Sequence, residues 1–304
     1  MAGTEPATLN LLDHVVRTPL VRLRALERSR GPRLFAKCEF WGPGRSIFDR
    51  AAAAEIARAD RGGHLSQGRR LLAAGGGDAS ISLAMAASAR GSPLTVLVPE
   101  SVGLERRKVL AGYGATLEFV DEELDWTAQN ARALERATES RGVFLDLFEG
   151  EAVVQAYEAI GTELVASLGE APSLTVCGLD LGAIPTGVAR GLWEARVVAV
   201  EPLQARIASA GTWAKHLLLG LAPAPRALAL DRARVQDFEA VDERAAWEAA
   251  EELGRRAGVF AGIVSGALLV AARRRMESMG PDDTVALVLP DSGERRLWLA
   301  RAFS

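Results

Sequence analysis

Apolar and polar positions alternate along the chain in two rhythms. Short continuous runs, such as "RLFAKCEF", "RRLLAA", "LTVLVPE", "ATLEFV", "VFLDLF", "LTVCGL", "RVVAVEP" and "TVALVLP", carry branched and aromatic residues and read as strands. Between them lie segments with helical spacing. These are "DRAAAAEIARAD", "SISLAMAASAR", "GLERRKVLAGYG", "DWTAQNARALERATESRG" and residues 152–168, 185–194, 243–257 and 264–278. Gly62-Gly63 and Gly91 mark helix ends. In "EFWGPGRSIFDRAAAA", a Gly42-Pro43-Gly44 turn feeds a helix whose start is marked by Ser46 and Asp49. The Pro- and Ala-rich "LLGLAPAPRALAL" reads as a connector. Strands without a polar face, alternating with helices, predict an α/β fold with parallel sheets covered on both sides. In such folds ligands lie beyond the carboxyl ends of strands, here the loops after "CEF", "LLAA", "VCG" and "VLP".

Composition narrows the chemistry. The chain has 304 residues and is 49 % hydrophobic, enough for one large domain or two smaller ones. A net charge of −3 argues against nucleic acid as a partner. The longest apolar stretch, "VFAGIVSGALLVAA", falls short of the roughly 20 residues that a membrane span needs. "MAGTEPATLN" lacks the basic and apolar blocks of a signal peptide. Cys38 and Cys177 sit in apolar runs without metal spacing, which predicts core thiols in a reducing, cytoplasmic setting. The only amines on side chains are Lys37, Lys108 and Lys215.

The motifs resemble one family. "TPLVRL", "AKCEFWGPGRSIFDRAA", "VLVPESVGLERRKVLAGYGATLEFVD", "PTGVARGL", "VVAVEP", "GIVSGALLVAA" and "LPDSGERRL" occur in the order found in fold-type II pyridoxal-phosphate enzymes close to cysteine synthase. The resemblance covers nearly the whole chain. It implies two doubly wound parallel-sheet subdomains of the tryptophan synthase β and cysteine synthase type. The expected division is a large domain, residues 1–40 and 146–304, and a smaller mobile domain, residues 41–145, with the crevice between them. It also implies a homodimer, or a heteromer with a related protein.

Three loops depart from the pattern that the resemblance supplies. The family's turn reads roughly Asn-Pro-Gly-Gly-Ser-Val-Lys-Asp-Arg, and its lysine forms the Schiff base with the cofactor and moves the α-proton. Phe48 holds that position here. The family's Thr-Ser-Gly-Asn-Thr-Gly loop, which grips the substrate carboxylate, becomes Gly75-Gly76-Gly77-Asp78-Ala79-Ser80. The Gly-Thr-Gly-Gly-Thr phosphate loop becomes Asp180-Leu181-Gly182-Ala183-Ile184, followed by Pro185, which has no N–H. Asp180 places negative charge where a dianion would sit. "FLDLF", containing Asp146, stands where the family tends to have glutamine, and Ser292 stands where it contacts the pyridine nitrogen.

These departures lead to the expectation of a cysteine synthase-like pseudoenzyme with no cofactor, pyridoxal phosphate included. It would act by binding a partner protein or a small-molecule ligand in the crevice. Asp78, Asp146, Asp180 and Asp291, with Ser265 in the tightly packed "GIVSGA", are further crevice candidates. Two alternatives stay open: a cofactor-independent enzyme using the acidic crevice, and residual cysteine synthase or lyase activity.

Overall fold

The computed structural model describes residues 10–121, 125–193, 195–225 and 229–299. Most of the N-terminal stretch read for signals, the end of the 185–194 helix and part of the Pro/Ala-rich connector lie outside these residues.

The elements follow the two rhythms closely. In chain order they are β1 (Leu20–Arg22), β2 (Arg33–Cys38), α1 (Phe48–Arg61), β3 (Leu71–Ala74), α2 (Asp78–Ala89), β4 (Leu94–Pro99), α3 (Leu104–Gly112) and β5 (Thr116–Val120). Then come α4 (Trp126–Glu139), β6 (Val143–Phe144), α5 (Glu151–Leu168), β7 (Leu174–Gly178), α6 (Ala183–Gly191), β8 (Val197–Pro202), β9 (Asp237–Val241), α7 (Glu243–Ala257), α8 (Ile263–Met276) and β10 (Thr284–Leu289). One sheet orders its six strands β1-β2-β10-β7-β8-β9, and the other orders four as β5-β4-β3-β6. All pairings are parallel except β1 with β2.

β10 shows why the larger sheet forms where it does. Every residue of "TVALVL" is buried, and the strand pairs with β2 on one side and β7 on the other. Alternate side chains enter two separate apolar clusters: Ala286 and Val288 one, Val285, Leu287 and Leu289 the other. α5 and α6 cross so closely that a Cβ on Gly191 would strike the carbonyl of Glu158.

Three local details differ from the pattern-based expectation. α2 begins at Asp78, two residues before the segment read as helix. β6 ends at Phe144, so Leu145–Phe148 form a loop. The edge strands β1 and β9 carry too few buried positions to stand out; β9 is buried only at Val241.

A buried ion network fixes the start of α1. Arg50 Nε donates to Glu39 Oε2 at 2.6 Å, and its Nη1 and Nη2 donate to the two oxygens of Glu163 at 2.8 and 2.9 Å. Lys37 Nζ reaches Glu163 Oε2 at 2.5 Å and also donates to the carbonyl of Thr18. Thr18 Oγ1 donates to Glu39. One cluster thus ties β2, α1, α5 and the segment before β1. Burial alone would lower the Arg50 pKa, but Glu39 and Glu163 outweigh it and raise it. Burial would raise that of Glu163, but Arg50 and Lys37 bring it down to about 2.

Removing one partner of such a network strands buried charge. Arg50→Ala is expected to cost about 3–5 kcal/mol in urea unfolding. Glu163 also sets a pH dependence. Its pKa is lower folded than unfolded, so its contribution is complete above the ordinary range near 4.3 and is lost as pH falls toward about 2. Glu163→Gln should flatten the acid limb of stability against pH in that window.

Candidate functional site

The loops after β2, β3, β7 and β10 meet at one place, as strand ends in parallel sheets do. Ser46, Phe48, Asp78, Ile184, Val264 and Asp291 are among the residues lining a cavity of about 20 Å³ there, room for about one water molecule. Its walls are mostly apolar.

Phe48 is the first residue of α1 and is 9 % exposed. Its ring lies edge-on to Phe148 with centroids 5.4 Å apart, and Phe148 lies edge-on to Trp126 at the same separation. Such pairs stabilise by about 0.5–1.5 kcal/mol beyond area burial. The preceding turn is held by Asp49, which accepts from Gly44 N at 2.7 Å and from Ser82 Oγ at 2.6 Å. Burial pushes the Asp49 carboxyl up to about 6. Ile47 N donates to Pro290 O, joining the turn to the end of β10.

The four crevice carboxylates have separate surroundings. Asp291 caps α8, accepting from Val264 N, Ser265 N and Ser265 Oγ at 3.2, 3.0 and 2.7 Å. Asp78 opens α2 and is paired with Arg106 at 3.2 Å and Arg295 at 3.6 Å. The charge of Asp78 is therefore matched by two guanidinium groups. Asp146 accepts from Phe148 N, and burial raises its pKa to about 6. Asp180 has left-handed backbone, φ 49°, and its Oδ1 is buried without a protein partner, as is the hydroxyl of Tyr157. Burial first, and then repulsion from Asp146, raise the Asp180 carboxyl to about 7.

The glycine loop is anchored through its backbone. Gly75 has φ +87° and donates its N–H to Leu97 O, while its carbonyl accepts from Ser80 Oγ. Gly76 O accepts from Arg106, Gly77 precedes α2, and Ala79 is buried within its first turn. At the start of α6, Ala229 N donates to Leu181 O. The space that a Cβ on Gly182 would need is taken by Leu230, whose N would lie 2.5 Å away. Ala183 starts the helix, and Thr186 Oγ1 accepts from Asp231 N. The chain's own segment 229–231 therefore lies against this helix N-terminus. Ser292 is buried, and its Oγ accepts from Glu294 N.

None of the three lysines presents an amine to the cavity wall. Lys37 is buried in the Glu163 network, while Lys108 and Lys215 are exposed. Cys38 and Cys177 are buried free thiols; burial pushes Cys38 up to about 12 and Cys177 higher still. Among the described residues, no helix is long and apolar enough to cross a membrane.

The sequence reasoning missed Arg106, Arg295, Trp126 and Leu230. Nothing in "GLERRKVL" marks the first from its basic neighbours. The others reach the site only through the fold.

Comparison with known proteins decides the family. The profile for "Pyridoxal-phosphate dependent enzyme" matches residues 11–291. The chain belongs to the pyridoxal-phosphate dependent enzyme family. It is 32 % identical over 299 residues to O-ureido-L-serine synthase of Streptomyces lavendulae, covering 96 % of this chain and 92 % of that protein. It is 30 % identical over 297 residues to cysteine synthase of Staphylococcus aureus, covering 95 % of each. Crystal structures of O-ureido-L-serine synthase superpose with a TM-score of 0.88 at 30 % identity, covering 96–98 % of this chain and 94 % of theirs. One of these is a lysine-to-alanine mutant with O-ureido-L-serine bound.

The family match corrects one expectation. Pyridoxal phosphate was expected to be absent on the strength of three altered loops; membership of this family, with such relatives, makes it the cofactor to expect. The residues at the crevice do not fit it as a covalently held group in this conformation. Phe48 offers no amine, Leu230 lies against the α6 N-terminus, and the cavity is too small for an aromatic ring.

The raised Asp180 carboxyl makes a stability prediction. A carboxyl whose folded pKa exceeds its unfolded value near 3.9 favours folding at low pH, and that advantage is lost as pH rises through about 7. Asp180→Asn is expected to make the protein about 1–4 kcal/mol more stable at pH 8 in urea titrations, and to change little at pH 4.

Proposed function

We propose that this chain is a cysteine synthase-like protein that works by binding a ligand or partner at its crevice, without lysine-dependent turnover. One observation carries the proposal. Phe48 stands where the resemblance puts the reactive lysine, and its ring packs against Phe148. Lys37 is committed to Glu163 and Thr18, and the remaining two lysines are exposed. A phenyl ring has neither a nucleophile nor a titratable proton, so neither imine formation nor transfer of a proton at that position is available to this chain.

Retention of a ligand does not require that amine. A lysine-to-alanine mutant of a relative 30 % identical to this chain is bound to O-ureido-L-serine, which supports an amino-acid-like ligand here. Two buried free thiols suit a reducing, cytoplasmic setting. The family's symmetric habit supports a homodimer or an assembly with a related chain.

The test is turnover. Purified protein supplied with pyridoxal phosphate, O-acetylserine and sulfide is expected to form no cysteine above the protein-free rate. Cysteine formation by the unaltered chain would overturn the proposal.

A further inference from the structure

Two guanidinium groups converge on a single carboxylate oxygen at the rim of the cavity. Arg106 on α3 donates from Nη1 to Asp78 Oδ1 at 3.2 Å and to Gly76 O at 3.1 Å. Arg295, from the segment after β10, approaches the same oxygen with Nη1 at 3.6 Å while its Nη2 donates to Gly44 O. The two arginine side chains are 20 % and 17 % exposed and Asp78 only 5 %. At 3.6 Å the Arg295 contact is an ion pair beyond hydrogen-bond length. That Nη1 is buried and makes no hydrogen bond within the protein. Two further carboxylates lie nearby: Asp49, engaged by Ser82 and Gly44 N, and Asp291, engaged by Val264 N and Ser265. A guanidinium donor of Arg295 thus stays unspent beside a carboxylate, in a place largely shielded from water.

We propose that Arg106 and Arg295 form a carboxylate-binding pair, with Asp78 as its internal occupant, and that the carboxylate of an amino-acid ligand takes its place. The assignment rests on the crevice being a ligand site, as proposed above. Arginine's planar fork suits two-point recognition of a carboxylate. A monoanion suits the pair better than a phosphate dianion, because the carbonyls of Gly76 and Gly44 already hold part of the donor capacity and face the same space. Arg106 and Asp78 come from the β3–α3 region and Arg295 from the far end of the chain, so the exchange also loosens a tie across the crevice.

Calorimetric titration of the full chain with O-acetyl-L-serine and with its carboxamide tests this. The carboxylate is expected to bind about tenfold or more tightly than the carboxamide, as for a hydrogen bond to a charged group. Arg295→Gln and Arg106→Gln should each erase that preference, and Asp78→Asn should tighten carboxylate binding several-fold by removing the competitor. If Arg295→Gln does not fold, as judged by its melting transition, Arg295→Lys keeps the charge, loses the fork, and should retain only part of the preference. Equal binding of acid and amide, or arginine variants that bind as the parent does, would overturn the pair while leaving the crevice a ligand site. Inorganic phosphate competing as well as the amino acid would overturn the carboxylate assignment. No binding by either the parent or Asp78→Asn would overturn it as well, and the turnover assay judges the wider proposal separately.

Discussion

Arg50 is a permanent charge on a helix whose first turn is buried, and Glu39 and Glu163 are the groups that neutralise it. The cluster they form joins β2 to α1 and α5, so the turn carrying Ser46 and Phe48 leaves β2 along one path. It also consumes the amine of Lys37, the buried one of the three lysines. A charge cluster this deep adds little net stability compared with apolar packing, but it penalises every arrangement that separates its members.

The crevice built on that frame has two characters. On one side Phe48, Phe148 and Trp126 form an edge-to-face row. On the other, Asp78 joins two arginines that are remote in sequence. Among the buried carboxylates, Asp291 and Asp49 are committed to the fold, whereas Asp180 lies within repulsive reach of Asp146. Asp291 serves a helix terminus, Asp49 a turn, and Asp180 is raised toward neutrality by burial. Family membership makes pyridoxal phosphate the expected cofactor, and the contrast with an aromatic residue at position 48 is the central feature of this chain.

How much of this was legible beforehand depended on the range of the interaction. β10 and β8 announce themselves because burial on both faces keeps every position apolar but Thr284 and Glu201. β9 and β1 escape notice because a sheet edge demands little of its residues. Asp78 was legible as a crevice residue, since its loop follows β3, but its arginine partners were not. Its partners come from 28 and 217 positions further along, as the numbers of Arg106 and Arg295 show. Leu230 was invisible for the same reason: only the fold brings it against Gly182. The three altered loops were read correctly as residues, yet they did not license the absence of a cofactor, which the family match overturned.

Lysine accessibility in the native protein tests the central claim most directly. Reductive methylation at neutral pH in the presence of pyridoxal phosphate, followed by peptide mass analysis, reports each amine separately. The account predicts rapid modification of Lys108 and Lys215 and protection of Lys37 until the protein unfolds. A Lys37 that reacts as fast as the other two, or that carries a pyridoxyl group in the folded state, would contradict it.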